Sequence, residues 1–201
     1  QTVVVPLTHL GLIEASGEEA KTFLHSQFTN DINHLAEDLA LHAGWCNAKG
    51  RMQASFLIWR TNDRYQLMLA TDLQEAAQKR LQMFVLRSKV VIGNVSDRNE
   101  TIGLSGPNAA ATLTAAGLPA PALPLEVAAF ADGEVIRVDE TRYLLIVASG
   151  AAKTLWPQLT ASARPVGTPV WQWLDIQAGI PLISEATKEA FTEDGWFRTG
   201  D

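Results

Sequence analysis

Residues 12–24 read LIEASGEEAKTFL, and residues 101–113 read TIGLSGPNAAATL. Each is a short apolar run, then Ser-Gly, then the start of a helix. Ser16 with Glu19 makes a capping box, and Ser105 with Pro107 makes a cap followed by an early proline. A second pair of segments matches in the same way. Residues 64–81, RYQLMLATDLQEAAQKRL, and residues 142–159, RYLLIVASGAAKTLWPQL, each open as a strand with an aromatic and pass into a helix. One helical face then carries Leu73, Ala77, Leu81 and Phe84 in the first copy, and Ala152, Leu155, Trp156 and Leu159 in the second. The chain repeats itself.

Hairpins fill the space between these landmarks. Turn signals fall at Asn62-Asp63, at Asp132-Gly133 and near Asp139-Glu140, each between runs that alternate or are continuously apolar. Each copy therefore predicts a β-α-β-β-α-β unit of the α+β class, with helices on one side of an antiparallel sheet. The copies are offset by 89 residues at Ser16 and Ser105 but by 78 at Arg64 and Arg142. The first unit thus holds eleven more residues, in the region of HAGWCNAKGRMQASF (42–56). An insertion into one copy of a duplicated scaffold is a place where function is grafted. The expected organisation is a first unit over 1–97, a second over 98–168, a segment 169–189 returning toward the first, and an atypical tail over 190–201.

Composition narrows the function classes. Of 201 residues 47% are apolar, enough for a sizeable core, and nothing reads as a low-complexity linker. Acidic residues outnumber basic ones by 22 to 16, for a net charge of −6, which argues against nucleic acid as a direct partner. No apolar run reaches the roughly 18–20 residues that span a bilayer, and no signal-peptide pattern is present, so no membrane partner is expected. One cysteine excludes an internal disulfide and fits a reducing, cytoplasmic setting. His9, His25, His34 and His42 show no ligand spacing, so no metal site is expected.

Four segments, LIEASGEEAKTFLHSQFTNDI, AGWCNAKGRMQASFLI, LRSKVVI and DIQAGIPLI, closely resemble in that order the YgfZ family. These are folate-binding relatives of the glycine-cleavage T-protein, the aminomethyltransferase, and the likeness covers about residues 1–185. The resemblance implies a three-lobed protein whose lobes surround a channel for tetrahydrofolate or a folate derivative. It also implies a role in assembly or maintenance of iron–sulfur enzymes and the tRNA modification that depends on them. The family's KGCYxGQE segment and C-terminal lobe would lie beyond Asp201, so the chain reads as the first two lobes of a longer protein. Residues 190–201, AFTEDGWFRTGD, depart from the family and resemble a segment of adenylate-forming ligases.

The resemblance also bears on chemistry. The T-protein carries an acidic pair just after its glycine turn, and the matching positions here are Ala54 and Ser55. Alanine neither exchanges a proton nor stabilises an iminium charge, so aminomethyl transfer is disfavoured and no catalytic residue is assigned. Cys46 reads as a buried cysteine at a strand end rather than an activated thiol. Asn47, Lys49, Gly50 and Arg51 are the leading candidates for ligand binding. Folate has a pterin edge suited to amides and a glutamate tail suited to Lys or Arg, and glycine allows a tight turn that offers N–H groups to an anion. The alternative for Lys49 and Arg51 is solvated surface charge. Asn30 and Asp31 are either neighbours of the channel wall or a helix C-terminal turn. Trp173, alternating with Trp171, is a candidate to stack on the pterin or else packs at a sheet edge.

Overall fold

The strand Leu10–Ser16 runs antiparallel to Arg64–Ala70 in a ladder that sets Ser16 opposite Arg64. The strand Asn99–Ser105 runs antiparallel to Arg142–Ala148 in a ladder of equal length that sets Ser105 opposite Arg142. The duplication read from the sequence is thus present in the register of the strands. The structure is a computed structural model describing residues 1–189. The foreign-looking segment 190–201 lies outside the described residues.

In chain order the first half contains β1 (Val3–Pro6), β2 (Leu10–Ser16), α1 (Ala20–Gln27), β3 (Ala40–Cys46), β4 (Met52–Thr61), β5 (Arg64–Ala70), α2 (Thr71–Val85) and β6 (Val91–Asn94). The second half contains β7 (Asn99–Ser105), α3 (Ala109–Ala115), β8 (Val127–Phe130), β9 (Gly133–Arg137), β10 (Arg142–Ala148), α4 (Ser149–Thr160) and β11 (Arg164–Pro165). Helices α5 (Thr168–Ala178) and α6 (Glu185–Glu189) follow. The class is α+β with antiparallel sheets, as expected. Each repeat has three strands between its helices where two were expected, because 40–46 and 127–130 both pair as strands.

Among the described residues, one compact unit comprises 9–35, 41–94 and 179–189; the other comprises 1–8, 36–40 and 95–178. The first-repeat sheet has the order β3-β4-β5-β2-β6. Ile13, Ala15, Ala54, Phe56, Ile58, Leu67 and Leu69 turn one face of it toward Phe23 and Leu24 of α1 and toward Leu73, Ala77 and Leu81 of α2. Each large apolar side chain buried there contributes about 1.5–3 kcal/mol. Phe84, expected on that face, is exposed at the end of α2.

The second-repeat sheet has the order β8-β9-β10-β7-β1-β11. Ile102, Leu104, Val135, Leu145 and Val147 face Leu113 of α3 and Leu155 and Leu159 of α4. Here the sequence boundary needs correction. Residues 1–8 do not belong with the first repeat, because β1 lies antiparallel to β7 and parallel to β11. In the first-repeat sheet the equivalent of β11, which is β6, pairs with β2 directly. A second correction concerns 169–189. Helix α5 stays with the second-repeat unit, and only the chain from Gly179 returns, with Leu182 and Ile183 packing on the first-repeat core.

The two expected helix caps, Ser16 and Ser105, are also replaced. Helices α1 and α3 begin at Ala20 and Ala109, several residues after the expected caps, and neither has a side-chain cap bond. Gly17 and Gly106, at φ +118° and +133°, make the turns instead. A Cβ on Gly17 would fall 2.1 Å from the Lys89 carbonyl oxygen, so the position admits only glycine. The surplus of the first repeat sits in its hairpin. Ala40–Thr61 spans 22 residues, against 11 for Val127–Arg137.

Candidate functional site

The long hairpin ends in the turn 47–51, between Cys46, the last residue of β3, and Met52, the first of β4. Its geometry centres on Asn47. The Asn47 N–H donates to the Arg51 carbonyl at 2.8 Å, and the Gly50 N–H donates to the Asn47 carbonyl at 2.9 Å. Asn47 Oδ1 accepts the N–H of Lys49 at 2.9 Å and that of Arg51 at 3.0 Å. One amide oxygen thereby satisfies two loop donors, a local bond of the kind that favours asparagine in turns. Gly50 has φ +77° with open space where a Cβ would stand, so the backbone angle alone asks for glycine.

This arrangement redistributes the expected roles. The N–H groups of Asn47, Lys49, Gly50 and Arg51 are satisfied inside the turn, and so is the Asn47 side-chain oxygen. What the turn presents to solvent is the pair of exposed cationic side chains, Lys49 and Arg51. Neither side chain forms an ion pair among the described residues. In a chain of net charge −6, the whole stretch from Leu39 to Asn62 contains no Asp or Glu. The hairpin is a local positive feature suited to carboxylates.

Asn30 and Asp31 lie in the same unit, along the open edge of β3. Phe28 bridges Trp45, and Thr29 exchanges bonds with Gly44: its N–H donates to the Gly44 carbonyl at 3.0 Å, and its Oγ1 accepts the Gly44 N–H at 2.8 Å. Asn30 Nδ2 donates to the His42 carbonyl at 3.0 Å. This segment covers an edge that would otherwise expose its backbone. Asp31 Oδ1 accepts the Asn33 N–H at 2.9 Å and caps the 3-10 turn Ile32–His34. Its carboxylate also stands 2.6 Å from His34 Nδ1 and 3.3 Å from His25 Nδ1. The hydrogen bond from His34 first, then that from the Asn33 N–H, holds the Asp31 carboxyl below its ordinary range. The Asp-x-x-His spacing of Asp31 and His34 is a signal the sequence offered. The approach of His25 from α1 is tertiary and had none.

Ala54 is buried in the core, and Ser55 Oγ accepts the Ile183 N–H at 3.0 Å. The two positions matched to the acidic pair thus serve packing and a loop contact. Trp173 belongs to the other unit, on α5. Of the strand or short helix that the sequence allowed here, the structure has the helix, which separates Trp171 from Trp173 by about 200°. Trp171 is 2% exposed and Trp173 is 58% exposed. Among the described residues no group of three His, Cys, Asp or Glu side chains could hold a metal ion, and no helix is long and apolar enough to cross a membrane.

The GCVT N-terminal domain family matches residues 1–124, from β1 through the hairpin and into the second repeat. The chain belongs to this family. The tRNA-modifying protein YgfZ of Edwardsiella ictaluri (strain 93-146) is 30% identical over 196 residues, covering 93% of this chain and 59% of the relative. The chain therefore spans about three fifths of that protein's length. Among solved structures, the glycine cleavage system aminomethyltransferase T from Bartonella henselae superposes with a TM-score of 0.75 at 20% identity, over 83% of this chain and 47% of that one. A chain of heterotetrameric sarcosine oxidase from Corynebacterium sp. U-96 gives 0.56 at 14% identity, over 79% of this chain and 81% of that one. The fold is thus that of the N-terminal part of the T-protein, and the likeness to YgfZ read from four segments extends along nearly the whole chain.

Proposed function

We propose that this chain is the folate-binding part of a YgfZ-type accessory protein of the cytoplasm. On this reading it takes tetrahydrofolate or a derivative and supports iron–sulfur enzymes and the tRNA modification that depends on them. The observation that carries the reading is the turn 47–51. It is built to hold itself together through Asn47 and Gly50, leaving two cations with no described partner on a hairpin devoid of acidic residues. In the proposal Lys49 and Arg51 meet the glutamate carboxylates of the ligand. Asn47 contributes the turn geometry and its remaining amide donor. Asn30 and Asp31 act indirectly, by fixing β3. Trp173 is a separate candidate for ring contact.

Aminomethyl transfer is the weaker reading. It needs a group that can manage charge beside the ligand, and Ala54 and Ser55 stand where the T-protein resemblance calls for acids. Isothermal titration with tetrahydrofolate tests the choice. Arg51→Ala should weaken binding by about 1–3 kcal/mol if it pairs a carboxylate, and Cys46→Ala should bind as wild type. Unchanged binding in Arg51→Ala together with a large loss in Cys46→Ala would invert the assignment.

A further inference from the structure

Along β4, Ala54, Phe56 and Ile58 belong to the first-repeat core, so Gln53 and Ser55 point to the opposite face of the sheet. Arg51, whose carbonyl closes the hairpin on the Asn47 N–H, continues that row. Successive members of the row stand about 7 Å apart along the strand. Their partners differ. Ser55 Oγ accepts the Ile183 N–H at 3.0 Å, and the Glu185 N–H donates to Asp72 Oδ2 at 3.0 Å, so the returning chain closes the inner end of the row. Arg51, at the outer end, is exposed and forms no ion pair among the described residues. Gln53 lies between them, half-buried, and its Nε2 reaches only the Arg51 carbonyl, at a long 3.5 Å. Its Oε1 accepts no bond among the described residues. β5 pairs with β4 along Leu57–Thr61, so Gln53 lies beyond that ladder. A side-chain amide carries two donors and an acceptor oxygen, and burying them without partners is costly.

We propose that Gln53 is a specificity-determining residue: with Arg51 it reads an N-acyl glutamate, the arginine taking a carboxylate and the Gln53 amide pairing with the amide that joins the glutamate to its acyl ring. That Arg51 meets a carboxylate rests on the reading of turn 47–51 given above; the role of Gln53 is the addition. In such a ligand the amide lies between the carboxylates and the ring, the order in which Arg51 and Gln53 follow each other into β4. An amide side chain answers a ligand amide with both a donor and an acceptor. A plain dicarboxylate would satisfy the cations of the turn yet leave the half-buried Gln53 unpaired, so the pair discriminates where the cations alone do not. Tetrahydrofolate is one member of the class.

Two probes test this: N-benzoylglutamate, and the same dicarboxylate with an ethylene link in place of its amide. Each is titrated by NMR chemical shift into wild type, Gln53→Met and Arg51→Ala. Gln53→Met keeps the length of the side chain and removes its hydrogen-bonding groups. It should weaken N-benzoylglutamate about fivefold and leave the amide-free probe unchanged, whereas Arg51→Ala should weaken both. Gln53→Thr, a better strand former, should repeat the result and stands in if Gln53→Met melts early. An equal loss on both probes in the Gln53 variants, or no loss on either, overturns the proposal. Tetrahydrofolate decides the folate reading separately. A wild type that takes N-benzoylglutamate but not tetrahydrofolate overturns that reading and keeps this one. Tetrahydrofolate binding that Gln53→Met leaves unchanged overturns this one and keeps that. Binding of neither ligand overturns both.

Discussion

Gly17 and Gly50 both have positive φ, yet they answer to different constraints. Around Gly50 a side chain has room, so Gly50→Ala costs only the left-handed backbone, about 1–2 kcal/mol by thermal or urea unfolding. At Gly17 the same change drives a methyl into the Lys89 carbonyl, and the loss should clearly exceed that at Gly50. His9 sets a pH dependence. Both its ring nitrogens are buried without a partner among the described residues, and burial lowers its pKa from the ordinary 6.5. Below pH 6.5 the unfolded chain binds a proton that the folded chain refuses, so stability declines as pH falls through that value. Melting temperatures measured between about pH 7.5 and 5 should therefore drop for the wild type and drop less for His9→Met. At this scale the sequence pointed to Lys49, Gly50 and Arg51. That Asn47 is spent on its own turn could not be read from it, since a hydrogen-bond partner is a matter of geometry, not residue type.

Strands and helices were legible where a local signal existed. The ladder partners Ser16 with Arg64 and Ser105 with Arg142 follow from two sequence matches at different offsets, and the eleven-residue surplus between them proved to be hairpin. The sequence left 164–182 as a strand or a short helix, and the structure has helix α5: TPVWQWLDIQA is apolar on a face that the sheet does not cover, so its pattern carries no clean helical stripe. Its seat depends on Gly103, which makes room for Trp171. Gly103→Ala should displace that ring and destabilise the second-repeat unit, and Trp171→Ala should cost about 3–5 kcal/mol, both measurable by denaturant unfolding. The capping box at Ser16 and the proline-type cap at Ser105 failed for a related reason: Ser-Gly at 16–17 and 105–106 serves a glycine turn, and the helices start only after it.

At the scale of the whole molecule, one strand breaks the symmetry of the duplication. β1 is inserted between β7 and β11, so residues that precede the first repeat complete the sheet of the second. No local pattern announces this, because β1 is an ordinary apolar run whose partner lies about a hundred residues away. Deleting residues 1–8 should accordingly expose β7 and β11 to hydrogen exchange while the protection of β2 and β5 persists. Loss confined to the first-repeat sheet would contradict the topology. The functional claim is that the turn 47–51 recognises the anionic tail of a folate. It is tested most directly by titrating wild type and Arg51→Ala, in this chain and in a full-length YgfZ relative carrying the equivalent change, with tetrahydrofolate and with the same pterin ligand lacking its glutamate. The account predicts that the arginine change weakens tetrahydrofolate binding about tenfold or more and leaves the glutamate-free ligand unaffected. An equal loss for both ligands, or none for either, would contradict it.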